Sequence, residues 1–156
     1  MNKPVYPPSK YPLIKGIIRK IHYHLIAESI IKPFPLRFEN TYSYHEYNHM
    51  DGVTLKINIA LNQPLRVKHE GTLSQKMIQR YCHEVGHAMH FEMNPQHAMT
   101  MGGIGQFQVE FLQSFGLVAD DLQKAHEMTI SERIAENLGQ TVWRQLLEDM
   151  PELKEI

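Results

Sequence analysis

Tyr81-Cys82-His83-Glu84-Val85-Gly86-His87-Ala88-Met89-His90 is the stretch that decides how this chain is read. A helix turns 100° per residue, so His83 and His87, four apart, project from one face on successive turns. Two imidazoles so placed can share one Zn²⁺, with Glu84 one position round and able to take a proton from water beside the ion. The flanks mark a helix. Upstream, Thr72-Leu73-Ser74-Gln75 reads as a capping box; downstream, Asn94-Pro95 stops the helix near Glu92.

Two histidines do not complete a catalytic zinc site, which takes three protein ligands and keeps one position open. The metzincin continuation is absent, because Met93 stands where a third His would be. A carboxylate is therefore expected, and Glu132 is the first candidate. In the last helix, expected from Ser131 to about Glu148, the residues Ile134, Leu138, Val142 and Leu146 form an apolar ridge. Glu132 projects onto the far flank of that arc, beside Gly139 and Trp143, where a carboxylate needs a partner. Small Ala135 and Gly139 would let this helix approach the motif helix closely. Glu136, one turn on, can hydrogen-bond a ligand His. The plainer reading of Glu132 is a solvated acid in a first helical turn. Glu110 is the rival ligand, although Gln106, Glu110 and Gln113 look like a polar face opposite Phe107, Phe111 and Phe115. His90, His97 and His126 are weaker candidates, and Asp120 and Asp121 suit a loop or helix start.

Working outward, residues 1–10 carry Pro4, Pro7 and Pro8 and read as an extended arm before a single domain over 11–156. Pro12 suits the first turn of a helix to about Ser29, with Leu13, Ile17, Ile21 and Leu25 as its stripe. Pro33 and Pro35 end it, and a short strand can begin at Leu36. Thr41 to Tyr47 alternates, and Asp51-Gly52 marks a turn. Val53, Leu55, Ile57, Ile59 and Leu61 then occupy every second position, which predicts a strand with one buried face. After the motif helix, Gly102, Gly103 and Gly105 predict a mobile link that could gate a site, with a helix following from Gln106 to Phe115.

The bulk properties exclude several classes. The chain has 156 residues, enough for one domain with a core, and carries 16 Lys+Arg against 17 Asp+Glu. No basic face is implied, so nucleic acid is not the expected partner. Cys82 is the only cysteine, which fits a cytoplasmic, reducing compartment and excludes a four-Cys zinc framework. Lys, Arg, His and Glu interrupt the Ile-rich stretch from Leu13 to Ile31, so neither a signal peptide nor a membrane span is expected.

The stretch Tyr81–His90 resembles the active-site helix of the H-E-x-x-H zinc peptidases, or zincins, of the gluzincin kind. Ser131-Glu132-Arg133-Ile134-Ala135-Glu136-Asn137-Leu138-Gly139 is similar to their second motif, a ligand Glu with a polar residue four later. Small ImmA/IrrE-type intracellular peptidase domains share a further feature, a strand ending in Asn before the motif helix, as Ile57 to Asn62 does here. The resemblance spans roughly Val53 to Pro151. Two departures stand out: the interval from His87 to Glu132 is long, and Glu136 stands where Asp or Asn is usual.

The resemblance implies an α+β, minimal zincin-like domain: a small, mainly antiparallel sheet packed on the H-E-x-x-H helix, with further C-terminal helices. It implies Zn²⁺ held by His83, His87 and Glu132, Glu84 as general base, and Glu136 behind a ligand His. The expected activity is peptide hydrolysis on a protein or peptide substrate such as a regulatory protein, with a sheet edge at Val53–Leu61 pairing the extended chain. His126 or one of Tyr42, Tyr44 and Tyr47 would supply the donor that steadies the oxyanion. Two other functions stay open. One is a zincin-fold binding or inhibitory protein that keeps its zinc for stability; the other is a zinc hydrolase acting on something other than a peptide bond.

Overall fold

The computed structural model describes residues 3–156; Met1 and Asn2 of the expected arm lie outside the described residues. The architecture is α+β, with five helices and one three-stranded sheet. The first helix, α1 (Tyr11–Ala27), starts with Pro12 in its first turn and buries Ile14, Ile18, Ile21 and Leu25. Its stripe lies one step round from the one expected, leaving Leu13 exposed. Ahead of it, Tyr6 is buried, its hydroxyl 3.1 Å from Ser74 Oγ.

The sheet comprises β1 (Leu36–Arg37), β2 (Tyr44–Asn48) and β3 (Val53–Asn58) in the order β1-β3-β2. It is mixed rather than mainly antiparallel: β1 runs parallel to β3, and β2 antiparallel. The strand expected to offer an edge is therefore the central one, and β2 is the long edge strand. The five-residue apolar face of β3 is also corrected. The register jumps from Glu46↔Lys56 to Tyr47↔Thr54, so Leu55 is an extra residue, a bulge. A bulge reverses the alternation before it. Thr54 points inward, Val53 and Leu55 are exposed, and only Ile57, Ile59 and Leu61 reach the core. Thr54 is satisfied there by His45 Nε2 at 3.0 Å.

Buried Asn58 fastens the loop before β2. Its Nδ2 donates to the carbonyls of Glu39 (3.1 Å) and Tyr42 (2.8 Å), and its Oδ1 accepts from Glu39 N at 2.7 Å.

The motif helix α2 (Leu73–Met93) begins with the capping box: Thr72 Oγ1 accepts from Gln75 N, and Gln75 Oε1 accepts from Thr72 N. Its central turns are buried all round, from Met77 to Gly86, because α1, the sheet and the last helix enclose it. Next comes α3 (Pro95–Ser114), one continuous helix where a Gly-rich link was expected. Asn94 Oδ1 caps it by accepting from His97 N, with Pro95 at its first position. Three glycines cost roughly 1 kcal/mol each in a helix. Gly105 is kept for proximity: a Cβ there would lie 3.0 Å from Thr129 Cβ. No gating loop remains in this stretch. The apolar face of α3 is turned to solvent: Phe107, Phe111 and Phe115 are exposed.

After α4 (Ala119–Glu127), the last helix α5 (Ile130–Asp149) is capped by Thr129 and crosses α2. Its buried stripe is Glu132, Ala135, Gly139, Val142, Trp143 and Leu146. Ile134 and Leu138 are only half-buried, so the buried face is centred nearer Glu132 than the expected ridge. The chain ends in a short 3-10 turn, Pro151–Glu155, which returns to the α2 N-terminus, where Thr72 Oγ1 donates to the Ile156 carbonyl at 2.8 Å. No helix among the described residues is long and apolar enough to cross a membrane.

Candidate metal centre

Glycine brings the two functional helices together. A Cβ on Gly139 would stand 2.6 Å from the Cys82 carbonyl oxygen and 3.0 Å from His83 Cα. A Cβ on Gly86 would collide with the Ala135 carbonyl group, its carbon only 2.8 Å away. Backbone thus meets backbone at the α2–α5 crossing, and the side chains one turn away must converge.

They do so at His83, His87 and Glu132, whose ligand atoms lie within 4.8 Å of one another. Glu132 Oε2 is 2.6 Å from His83 Nε2, and its Oε1 is 3.2 Å from His87 Nε2. Tetrahedral zinc with bonds near 2.0–2.1 Å sets neighbouring donors roughly 3.3 Å apart; the His87–Glu132 pair already matches that spacing, and the His83–Glu132 pair would open by about 0.7 Å around one ion. The group could hold a metal ion. Its donors, two imidazole nitrogens and one carboxylate, suit a borderline divalent cation, and three of them leave a coordination position free. Glu110 is not among them: it is exposed and accepts from Gln106 Nε2 on its own helix.

Behind the ligands stands Glu136. His83 Nδ1 donates to Glu136 Oε2 at 2.7 Å, the carboxylate–imidazole arrangement that orients a metal-binding His. Burial pushes His83 down, but hydrogen bonds to Glu132 and Glu136 outweigh it and raise its pKa to about 9. The two carboxyls respond oppositely. Burial alone raises Glu132, yet hydrogen bonds from His126, His83 and His87 hold it far below the usual carboxylate range. Glu136 is likewise held low, because hydrogen bonds from His69 and His83 overcome its burial.

Several participants escape a reading of the sequence. His69 Nε2 donates to Glu136 Oε1 at 2.8 Å, and burial lowers the His69 pKa. A neutral ring agrees with its Nδ1, which is buried without a partner. Arg66 lies 3.8 Å from Glu132 and 3.6 Å from Glu136, and Lys68 lies 3.8 Å from Glu136. Arg80, nearly buried, donates to the carbonyls of Ala60 (2.8 Å), Gln63 (3.1 Å) and Pro64, fixing the loop that presents Arg66 and His69. Burial, then Arg66, lowers Arg80 to about 10, which leaves it cationic at neutral pH. The only outward sign of this set is the basic run Arg66-Val67-Lys68-His69 just before the capping box.

His126, on α4, reaches Glu132 Oε1 at 3.0 Å while staying half-exposed. Two clefts, of about 860 and 360 Å³, open onto the cluster. Glu84, His126, Arg66 and Tyr42 border both, so Glu84 has access to whatever enters either one. Tyr44 and Tyr47 line the smaller cleft. His90 and His97 do not join the cluster; they pair with each other, Nε2 to Nδ1 at 2.8 Å. Asp120 begins α4 and lines the larger cleft.

No family model, curated protein or solved structure matches this chain.

Proposed function

We propose that the chain is a zinc-dependent peptidase with a minimal zincin-like fold, acting on a protein or peptide in the cytoplasm. The supporting observation is the convergence of His83, His87 and Glu132 on one point beside two open clefts that share Glu84. When bound, zinc supplies Lewis-acid polarisation of a carbonyl and makes water acidic enough to attack near neutral pH.

The remaining chemistry falls to the chain. His83 and His87 hold their rings through the rigid α2 backbone, and Glu136 fixes the His83 tautomer. Glu132 adds a negative charge to the donor set. Glu84, nearly buried but open to the clefts, takes the proton from the attacking water and returns it to the departing amine. His126, its Nε2 3.0 Å from Glu132 Oε1, would donate to charge growing on the carbonyl oxygen by turning that N–H from Glu132 to the substrate. Edge strand β2, whose Tyr44, His45 and Tyr47 line the smaller cleft, offers free backbone groups to an extended substrate.

Incubation of the zinc-loaded protein with a mixture of unstructured peptides, followed by mass spectrometry, tests the proposal. Cleavage should be blocked by a chelator and abolished in Glu84→Gln, which should still bind zinc. Cleavage that survives in Glu84→Gln removes Glu84 from its role. Zinc binding without any turnover supports a binding module instead.

A further inference from the structure

The outer edge of β1 is open and lies beside a cationic groove. Within the sheet, Ile57 N donates to the Pro35 carbonyl at 3.0 Å and Ile59 N to the Arg37 carbonyl at 2.9 Å. Backbone groups alternate along a strand, so the N–H and C=O of Leu36, between those two, point away from β3. Neither has a partner among the described residues. The carbonyl two residues earlier on the same side, that of Phe34, accepts from His22 Nε2 at 2.9 Å. Tyr81 Oη in turn donates to His22 Nδ1 at 2.8 Å. Burial lowers the His22 pKa, which keeps the ring neutral and in this tautomer. The buried pair thus fixes how far β1 stands from α1.

A groove of about 490 Å³ fills that interval, lined by Arg19, His22, Tyr23 and Ile26 of α1 and by residues 33–37. Its charged residues are Arg19 and Arg37, both exposed, and no acid lines it among the described residues. Lys15 adds to the field: its Nζ lies 5.8 Å from the Phe38 ring, which the Arg19 guanidinium covers at 5.2 Å. The near-balanced charge of the whole chain conceals this excess. Residues 10–38 hold Lys10, Lys15, Arg19, Lys20, Lys32 and Arg37 against Glu28 alone.

We infer that this groove receives an acidic extended segment of another protein, which adds a strand to the outer edge of β1. Leu36 presents one donor and one acceptor, the pair that a strand answers with its own C=O and N–H. Alternate apolar side chains of the segment meet Ile26 and Phe34, and the acids between them meet the two arginines. Phosphate, on a nucleic acid or a bilayer, satisfies the arginines but only accepts, so it leaves the Leu36 carbonyl unmet. β1 and β2 are opposite edges of the sheet, and the groove shares no residue with either metal cleft. The inference therefore holds whether or not the centre is a peptidase.

The test uses a fluorescein-labelled nine-residue peptide of alternating Glu and Val, titrated by anisotropy into the full chain carrying Glu84→Gln, so that cleavage cannot consume the probe. Binding should be micromolar, and at least tenfold weaker with Lys in place of Glu. Two further peptides carry N-methyl groups on every Val or on every Glu. One of them should bind at least tenfold more weakly than the other, because a strand turns only one edge to β1. Arg19→Glu/Arg37→Glu should weaken binding at least tenfold, while Lys10→Glu/Lys154→Glu, exposed and outside the groove, should change it less than twofold; circular dichroism would verify each fold. Equal binding of the Lys peptide, equal binding of the two methylated peptides, or equal losses in the two double variants overturns the inference. So does tighter, Arg19/Arg37-dependent binding of oligouridylate or of phosphatidylcholine/phosphatidylglycerol vesicles, which makes phosphate the ligand. A dimer in sedimentation that Arg19→Glu/Arg37→Glu dissolves overturns it in favour of a second copy.

Discussion

Gly86→Ala separates local from tertiary energetics more sharply than any other single change. On helix propensity alone, alanine should stabilise α2 by roughly 1 kcal/mol. The crossing says otherwise. The new Cβ would stand 2.8 Å from the Ala135 carbonyl carbon and 3.0 Å from Gly139 N, where ordinary contact begins near 3.4 Å. Both obstacles are backbone and the Ala135 carbonyl oxygen is nearer still, so α2 and α5 must part by more than the roughly 0.6 Å that the carbonyl carbon alone demands. Overpacking costs about 1–3 kcal/mol, and a clash with backbone belongs at the upper end, about 3 kcal/mol; less the propensity gain of roughly 1 kcal/mol, the net loss should be about 2 kcal/mol. Gly16→Ala is the internal control: it sits on exposed α1 surface with nothing within 4 Å of a new Cβ, and it should stabilise by roughly 0.5–1 kcal/mol. Urea unfolding would give the stabilities of both variants. If Gly86→Ala matches Gly16→Ala in stability, the interlocked crossing is wrong.

Other outcomes follow from the same geometry. Glu136→Gln should leave the fold intact but lower zinc affinity about 10–100-fold, because His83 loses its charged partner; chelator competition at pH 7 would reveal an unchanged affinity if Glu136 is idle. His83, at a pKa of about 9, must shed its Nε2 proton to bind metal, so apparent zinc affinity should climb about tenfold per pH unit from 7 towards 9. Calorimetry in buffers of different ionisation enthalpy should show the released proton, and a flat pH profile would count against the bridged imidazole. His45 runs the other way. Burial, then His87, lowers it to about 3, so its stabilising effect is complete above pH 6.5 and is lost as pH falls from 6.5 towards 3. At pH 5 the loss should be about 2 kcal/mol at most, and His45→Gln should shrink the pH 7-to-5 change in urea midpoint; an identical change would refute the assignment.

How much of this was legible in sequence depends on whether a feature is local. The α2 start followed from Thr72 and Gln75, and the break at Asn94-Pro95 from proline chemistry, because caps act over four residues. Glu132 drew notice as an acid on a mostly apolar face with small neighbours, although its role as a ligand needed the crossing to become visible. Non-local facts were hidden. The bulge at Leu55 depends on register with β2, and it reversed half of an apparently regular strand. The glycines of α3 read as a link because propensity cannot see Thr129 packed against Gly105. Phe107, Phe111 and Phe115 read as the apolar side of a helix, because periodicity reports an apolar face, not what covers it. Arg66 and His69 reach Glu136 from a loop whose path is set by Arg80, a long-range constraint with no spacing signature.

Zinc stoichiometry in three proteins tests the account most directly: the wild type, Glu132→Ala and Glu110→Ala, each purified metal-free, titrated with zinc and measured after desalting. The wild type and Glu110→Ala should retain close to one ion per chain, while Glu132→Ala should retain almost none. A wild type that holds no ion, or a Glu132→Ala protein that holds one as firmly, would contradict the centre described above.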